Sequence, residues 1–93
     1  MKVTKEILEE VDKIKEDCLI EVTRGSETDT FFVDKGYDDK IYEQYTIPFL
    51  YHEYFDTVED LKDKIIADIA EGWITEFKFI REWNDKQICF LNI

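Results

Sequence analysis

The sequence predicts an α+β domain in which two amphipathic helices pack on one face of an antiparallel β-sheet, in the order α-β-β-β-α-β-β. Three observations support this fold class. Residues 55–72, and residues 4–17 over a shorter length, repeat apolar residues at the three- and four-residue steps of a helix face. The remaining segments alternate apolar and polar residues and are separated by turn-forming residues. No internal repeat or linker interrupts the chain, so we expect one acidic α+β domain over residues 1–93.

The first helix is predicted within residues 4–17. Thr4 is placed to act as its N-cap, because a threonine hydroxyl can accept a hydrogen bond from an otherwise unpaired backbone N–H of the first turn. The apolar residues recur at helical spacing and form one side of the helix: Ile7, Leu8, Val11 and Ile14.

Three strands follow as an antiparallel meander. Residues 18–23 alternate with Cys18, Ile20 and Val22 on the expected buried face, and residues 24–27 form a turn. Residues 28–33 return as the second strand. Residues 34–39 form an acidic turn in which Gly36 is free to adopt positive φ, and residues 40–47 form the third strand. Pro48 ends that strand, and an aromatic run leads to the second helix.

The second helix is the best-defined element. Asp56 is the predicted N-cap with Glu59 as its capping-box partner, and Gly72 is the predicted stop. The apolar stripe consists of Val58, Leu61, Ile65, Ile66 and Ile69. The opposite face carries Glu59, Asp60, Asp63, Asp68 and Glu71.

Beyond Gly72, residues 73–81 and 87–93 are predicted to pair as a hairpin around a turn at Asn84 and Asp85. A helix over residues 73–83 is the alternative, because Phe77, Ile80 and Arg81 also fit a helical stripe.

Charge is the strongest functional signal. The chain has 23 acidic and 12 basic residues and a formal net charge of −11, which disfavours binding to nucleic acid or an anionic membrane and favours a basic protein surface. Residues 53–71 contain seven acidic and two basic residues, whereas residues 74–93 contain three of each. Carboxylates four residues apart on a helix lie roughly 6 Å apart, a spacing comparable with that of successive phosphates. With no segment of signal-peptide or membrane-spanning pattern, we expect a cytoplasmic protein.

No motif for catalysis, a metal or a cofactor stands out. His52 is the only histidine, and the adjacent Glu53 points elsewhere in any regular structure, so neither a general base nor a zinc site is predicted. Cys18 and Cys89 lie among apolar residues and are expected to be buried; a disulfide between neighbouring strands is the alternative in an oxidising compartment. The acidic residues 34–43 lack the ligand pattern of an EF-hand. We therefore predict a protein that is not an enzyme, with no cofactor and no metal.

The chain resembles the small acidic anti-CRISPR proteins of phages, in particular the type II-A inhibitor that mimics DNA at the PAM-reading site of Cas9. The resemblance consists of size, acidity, an N-terminal helix before a three-stranded meander, an acidic turn and a helix ending in Gly72 and Trp73. It implies that Asp34, Asp38 and Asp39 meet the arginines that read the PAM. That family also has an acidic run after the Gly-Trp pair, whereas here only Glu76 is acidic between residues 74 and 81.

The predicted function is inhibition of a nuclease such as Cas9 by mimicry of DNA charge. The first-choice contacts are Asp34, Asp38, Asp39 and Glu43, and the second-choice contacts are Glu59, Asp60 and Asp63. Acidic antirestriction proteins that mimic DNA are similar in composition and give one alternative. The other is an immunity-type interaction domain with an aromatic surface built from Tyr42, Tyr45, Tyr51 and Tyr54.

Overall fold

The computed structural model describes residues 2–46 and 51–83. Its elements are α1 (Lys5–Asp12), β1 (Cys18–Arg24), β2 (Glu27–Lys35), β3 (Ile41–Tyr45), β4 (Tyr51–Phe55), α2 (Val58–Ala70) and β5 (Glu76–Glu82). The five strands form one antiparallel sheet in the order β4-β3-β2-β1-β5. The α+β class and the antiparallel sheet are confirmed, with the element order α-β-β-β-β-α-β.

Both helices cover the same face of the sheet. The core on this helix-covered face joins Val11 of α1 and Leu61 of α2 to alternate residues of the strands, such as Ile20 and Phe31. On the opposite face, which we call the open face, Trp83 stacks on Phe32 with ring centroids 3.6 Å apart. Strand alternation therefore divides the side chains into two sets, and only the open-face set avoids the helices.

The start of α2 differs from its prediction by one residue. Thr57, not Asp56, is the N-cap: its backbone is extended and its hydroxyl accepts a hydrogen bond from the backbone N–H of Asp60 at 3.1 Å. Asp56 instead accepts a hydrogen bond from Lys40 Nζ at 2.8 Å. Gly72 has φ of +86°, as predicted for the residue that ends the helix.

Most of the predicted core is confirmed. Thr4 caps α1, accepting a hydrogen bond from the N–H of Ile7 at 3.2 Å. The α2 stripe is buried at Leu61, Ile65 and Ile69. Asp68 was wrongly assigned to the solvated face of α2: it is 8% exposed and accepts a hydrogen bond from Lys64 Nζ at 3.1 Å.

The strand assignment differs at both ends of α2. The aromatic run before the helix contains β4, an edge strand that was not predicted: the sequence places the end of the preceding strand at Pro48, but the aromatic residues that follow favour a new one. After the helix, β5 confirms a strand and not the alternative helix. The predicted turn at Asn84 and Asp85, the strand over residues 87–93 and Cys89 lie beyond the described ranges.

We predict that Leu61→Ala lowers the free energy of unfolding by about 2–5 kcal/mol, because Leu61 is 1% exposed at the centre of the core. Leu8→Ala is the matched control. It removes the same atoms from a residue that is 44% exposed, and it should cost about 1 kcal/mol or less. Urea denaturation of both variants is the measurement. Equal losses in the two variants would contradict the assigned face of α2.

Candidate functional site

The acidic residues predicted as contacts do not form one surface. They fall into three places: the turn between β2 and β3, the core beneath α2, and the solvent face of α2. The burial and hydrogen bonding of the carboxylates differ among these places, and they determine which carboxylates are accessible to a partner.

In the turn between β2 and β3, Asp38 is held by the turn itself. Its Oδ1 accepts a hydrogen bond from the backbone N–H of Lys40 at 3.1 Å, and its Oδ2 accepts one from the Tyr42 hydroxyl at 2.6 Å. These two bonds, with that from Tyr42 the larger influence, hold the pKa of Asp38 below its usual value. Asp38 therefore stabilises the turn, and these two hydrogen bonds leave fewer of its lone pairs to accept a bond from a partner.

Asp39, and not Gly36, has the positive φ expected in this turn. Asp39 has φ of +64°, so it supplies the left-handed residue of the turn. Gly36 has no positive φ; a Cβ there would lie 2.5 Å from Cε2 of Tyr42, so a larger residue would displace the Tyr42 ring. The Asp39 side chain is 85% exposed and lies 3.7 Å from Lys35 Nζ.

Asp34 lies on the open face, where it lines a shallow depression beside Asp38 together with Tyr37 and Tyr42. Asp34 is half-buried. Asp38 and Asp39 are both exposed, but Asp38 is held by hydrogen bonds within the turn and Asp39 is partly neutralised by Lys35.

Glu43 is not a surface residue. It faces the helix-covered side between Ile41 and Tyr45, and it is 3% exposed. Burial raises its pKa to about 7; Arg24 opposes that rise, while Glu53 and Asp68 add to it. The expectation that Glu43 contacts a partner is wrong, because strand alternation turns its side chain beneath α2.

A β-bulge opposite Glu43 reorders the edge strand. Glu43 pairs with Glu53 while Gln44 pairs with Tyr51, so His52 is the extra residue of β4. The His52 ring lies 5.2 Å from the rings of Phe31 and Tyr45, on the helix-covered side that Glu53 also faces. The premise that His52 and the adjacent Glu53 point to different sides is therefore wrong, since it holds only for a regular strand.

The second-choice acidic residues lie in the first half of α2. Glu59 and Asp63 line a groove between α1 and α2 whose floor is apolar, and Glu9 and Asp12 line the same groove from α1. Asp60 is exposed but does not line the groove. The full lining is Lys5, Leu8, Glu9, Val11, Asp12, Glu59, Lys62, Asp63 and Ile66.

Lys62 holds the two sides of this groove together. Its Nζ donates a hydrogen bond to the Asp12 main-chain oxygen at 3.1 Å, and lies 3.4 Å from Asp12 Oδ1 and 3.5 Å from Glu59 Oε1. The Lys62 side chain is only 13% exposed, whereas Asp12 and Glu59 are 86% and 76% exposed. The rim of the groove thus offers carboxylates to solvent while its central lysine is covered. Glu9 and Asp12 could not be assigned to this surface from the sequence, because only the packing of α1 against α2 brings them beside it.

The tyrosines of the aromatic alternative also separate. Tyr42 and Tyr54 are neighbours on the open face with ring centroids 5.9 Å apart, and Tyr37 beside them is fully exposed. Tyr45 packs against the core, and its hydroxyl lies 3.2 Å from His52 Nδ1. The Tyr51 side chain is not among the described features.

Comparisons with protein families, with curated proteins and with solved structures found no match for this chain. Within residues 2–46 and 51–83, no helix is long and apolar enough to span a bilayer.

We predict that Glu43→Gln changes the pH dependence of stability. The folded-state pKa of about 7 exceeds the ordinary value of 4.5, so the folded state binds more protons between these values and loses stability as pH rises through them. A pKa difference of this size corresponds to about 3 kcal/mol. The free energy of unfolding of the uncharged variant, relative to that of wild type, should therefore increase by about 2–3 kcal/mol between pH 5 and pH 8.

Urea denaturation in EDTA at several pH values measures this difference. Glu27→Gln, a substitution at an exposed carboxylate, should keep a constant difference from wild type across the range. A constant difference for Glu43→Gln as well would show that Glu43 is not buried as described.

Proposed function

We propose that this chain is a non-enzymatic inhibitor that covers the basic, DNA-binding surface of another protein. The observation that carries the proposal is the groove between α1 and α2, where exposed carboxylates from two distant parts of the sequence share one rim: Glu9, Asp12, Glu59 and Asp63. Acidic residues on two rigid helices can present charge at fixed positions, which is what a groove built for phosphates recognises.

The spacing of these carboxylates supports mimicry of DNA. Glu59 and Asp63 are one helical step of four residues apart, which corresponds to roughly 6 Å along the axis. The helix-covered side chains beneath them hold the two helices in place, so little ordering entropy is lost on binding. The proposed partner is a nuclease of the host cytoplasm, either a Cas9-type enzyme, as the resemblance to anti-CRISPR proteins implies, or a restriction enzyme.

The turn between β2 and β3 becomes the secondary contact in this proposal. Asp39 is exposed there, whereas Asp38 is engaged by Lys40 and Tyr42. Charge reversal of Asp38 would therefore disturb the turn as well as any interface, and it is a poor test of binding.

We predict that the double variant Glu9→Lys, Asp63→Lys weakens inhibition at least tenfold. Each residue lines the groove from a different helix, and neither makes a hydrogen bond or ion pair within the described residues. Like charges facing each other across an interface cost several kcal/mol, and about 1.4 kcal/mol corresponds to a tenfold loss of affinity. The melting temperature of the double variant should stay close to that of wild type, since surface substitutions usually change stability by about 0.5 kcal/mol or less.

The measurement is displacement of a fluorescent duplex from its protein. A Cas9–guide complex bound to a PAM-containing duplex is one arm, and a restriction enzyme on its recognition duplex is the other. The matched control is Glu27→Lys, Glu76→Lys, which makes the same change in net charge at exposed residues away from the groove. Failure of the wild type to displace duplex from either protein would contradict the proposal. Equal weakening by the control would assign the effect to net charge alone.

A second candidate function is an interaction domain that binds through tyrosines. It is favoured by the open-face group Tyr37, Tyr42 and Tyr54, in which Tyr37 is fully exposed and Tyr54 is 51% exposed. Salt separates the two candidates, because capture by charge weakens steeply from low to moderate ionic strength whereas aromatic burial responds little.

A further inference from the structure

The cluster of Glu43, His52 and Glu53 lies apart from the groove between the helices and is not used by the proposed function. One possible ligand atom from each residue lies within 4.8 Å of the other two. We propose that this cluster is a binding site for one divalent transition-metal ion, with zinc as the best-fitting ion.

Glu43 distinguishes this cluster from a group of acids on the surface, because its side chain is buried. Its side chain is 4% exposed, and its nearest ion-pair atom is His52 Nε2 at 3.9 Å, too far for a hydrogen bond. No hydrogen bond to its carboxylate occurs within residues 2–46 and 51–83. A buried carboxylate without donors is costly when ionised, and a cation bound beside it removes that cost.

Tyr45 orients the imidazole toward the carboxylates. Its hydroxyl lies 3.2 Å from His52 Nδ1, so a proton on Nδ1 can be donated to the hydroxyl oxygen and Nε2 is left with a free lone pair. That nitrogen is the one nearest Glu43 Oε1. Histidine ligands in metal sites commonly hold their second nitrogen in such a hydrogen bond, which fixes the tautomer and the ring.

The three ligand atoms must move closer together to hold zinc, because their separations extend up to 4.8 Å. Two ligands bound to zinc at about 2.1 Å in tetrahedral geometry lie about 3.4 Å apart, so the Nε2 to Oε1 separation of 3.9 Å must shorten by about half an ångström. One imidazole with two carboxylates leaves the fourth position for water. Calcium and magnesium prefer more ligands, all of them oxygen, so this donor set favours zinc over either.

The local charge also suits a cation. Glu43 and Glu53 oppose each other directly across β3 and β4, and Asp68 of α2 adds a third negative charge nearby. Arg24 is the positive charge that acts on Glu43 against them. A bound ion would join β3 to the edge strand β4, so binding should stabilise the folded chain.

The first test uses the wild type. After EDTA treatment and its removal, the protein is titrated with zinc chloride by calorimetry, and the imidazole of the only histidine is followed by NMR. We expect one equivalent to bind, the imidazole signals to shift in step with binding, and the melting temperature to rise. Cobalt substitution should give an absorption spectrum without a thiolate band, which separates this site from binding at Cys18 or Cys89.

Variants then assign the ligands. His52→Ala and Glu43→Gln should each weaken zinc binding more than tenfold, and the positioning variant Tyr45→Phe should weaken it by roughly 10-fold to 100-fold. Glu27→Gln should bind zinc as the wild type does. An imidazole signal that zinc leaves unchanged, a cobalt–thiolate band, or undiminished binding in folded His52→Ala would each overturn the proposal.

Discussion

The two-residue alternation of the β-strands is the constraint on which the rest of the structure depends. Because both helices cover one face, alternate residues of β1, β2 and β3 lie beneath them, and most of these residues are apolar. Cys18, Ile20 and Val22 satisfy this rule in β1, and Phe31 and Val33 satisfy it in β2. The same rule places Glu43 beneath the helices, where its side chain is covered although its charge suggests a surface position.

Local patterns were sufficient for most of the fold. Thr4 and Gly72 were assigned correctly because a cap and a helix stop depend on near neighbours in sequence. The period of the α2 stripe likewise identified Leu61, Ile65 and Ile69 as buried, although Val58 and Ile66 are only partly buried and Asp68 was missed. The assignment failed at Asp56, where two adjacent residues could both cap and only the observed start of the helix at Val58 selects Thr57.

The candidate sites were harder to predict because they depend on contacts between distant segments. The bulge at His52 could not be read from an aromatic run without a regular period, yet it alone brings His52 and Glu53 to one side. The groove depends on how α1 and α2 pack against each other. These helices are distant in sequence, because α1 ends at Asp12 and Thr57, the residue before α2, comes 45 positions later. Asp38 looked like a free carboxylate in a loop, whereas its bonds to Lys40 and Tyr42 make it part of the turn.

These placements change how the acidity of the chain is interpreted. Glu43 and Asp68 are covered, and Asp38 is engaged within its turn, so a count of acidic residues overstates what a partner can touch. The rim between α1 and α2 brings exposed acids from both helices together. In the proposed function, net charge would attract a basic partner from a distance, and the rim would be the face that this partner meets.

The central claim is that a bulge in β4 turns His52 onto the helix-covered face, and proton–proton contacts of its imidazole test this most directly. The ring should show nuclear Overhauser effects to the rings of Phe31 and Tyr45, whose centroids lie 5.2 Å away. Contacts from the imidazole to Tyr42 and Tyr54 on the open face, with none to Phe31 or Tyr45, would contradict it. In that case β4 would be a regular strand, and Glu53 would be the one residue of β4 left beside Glu43.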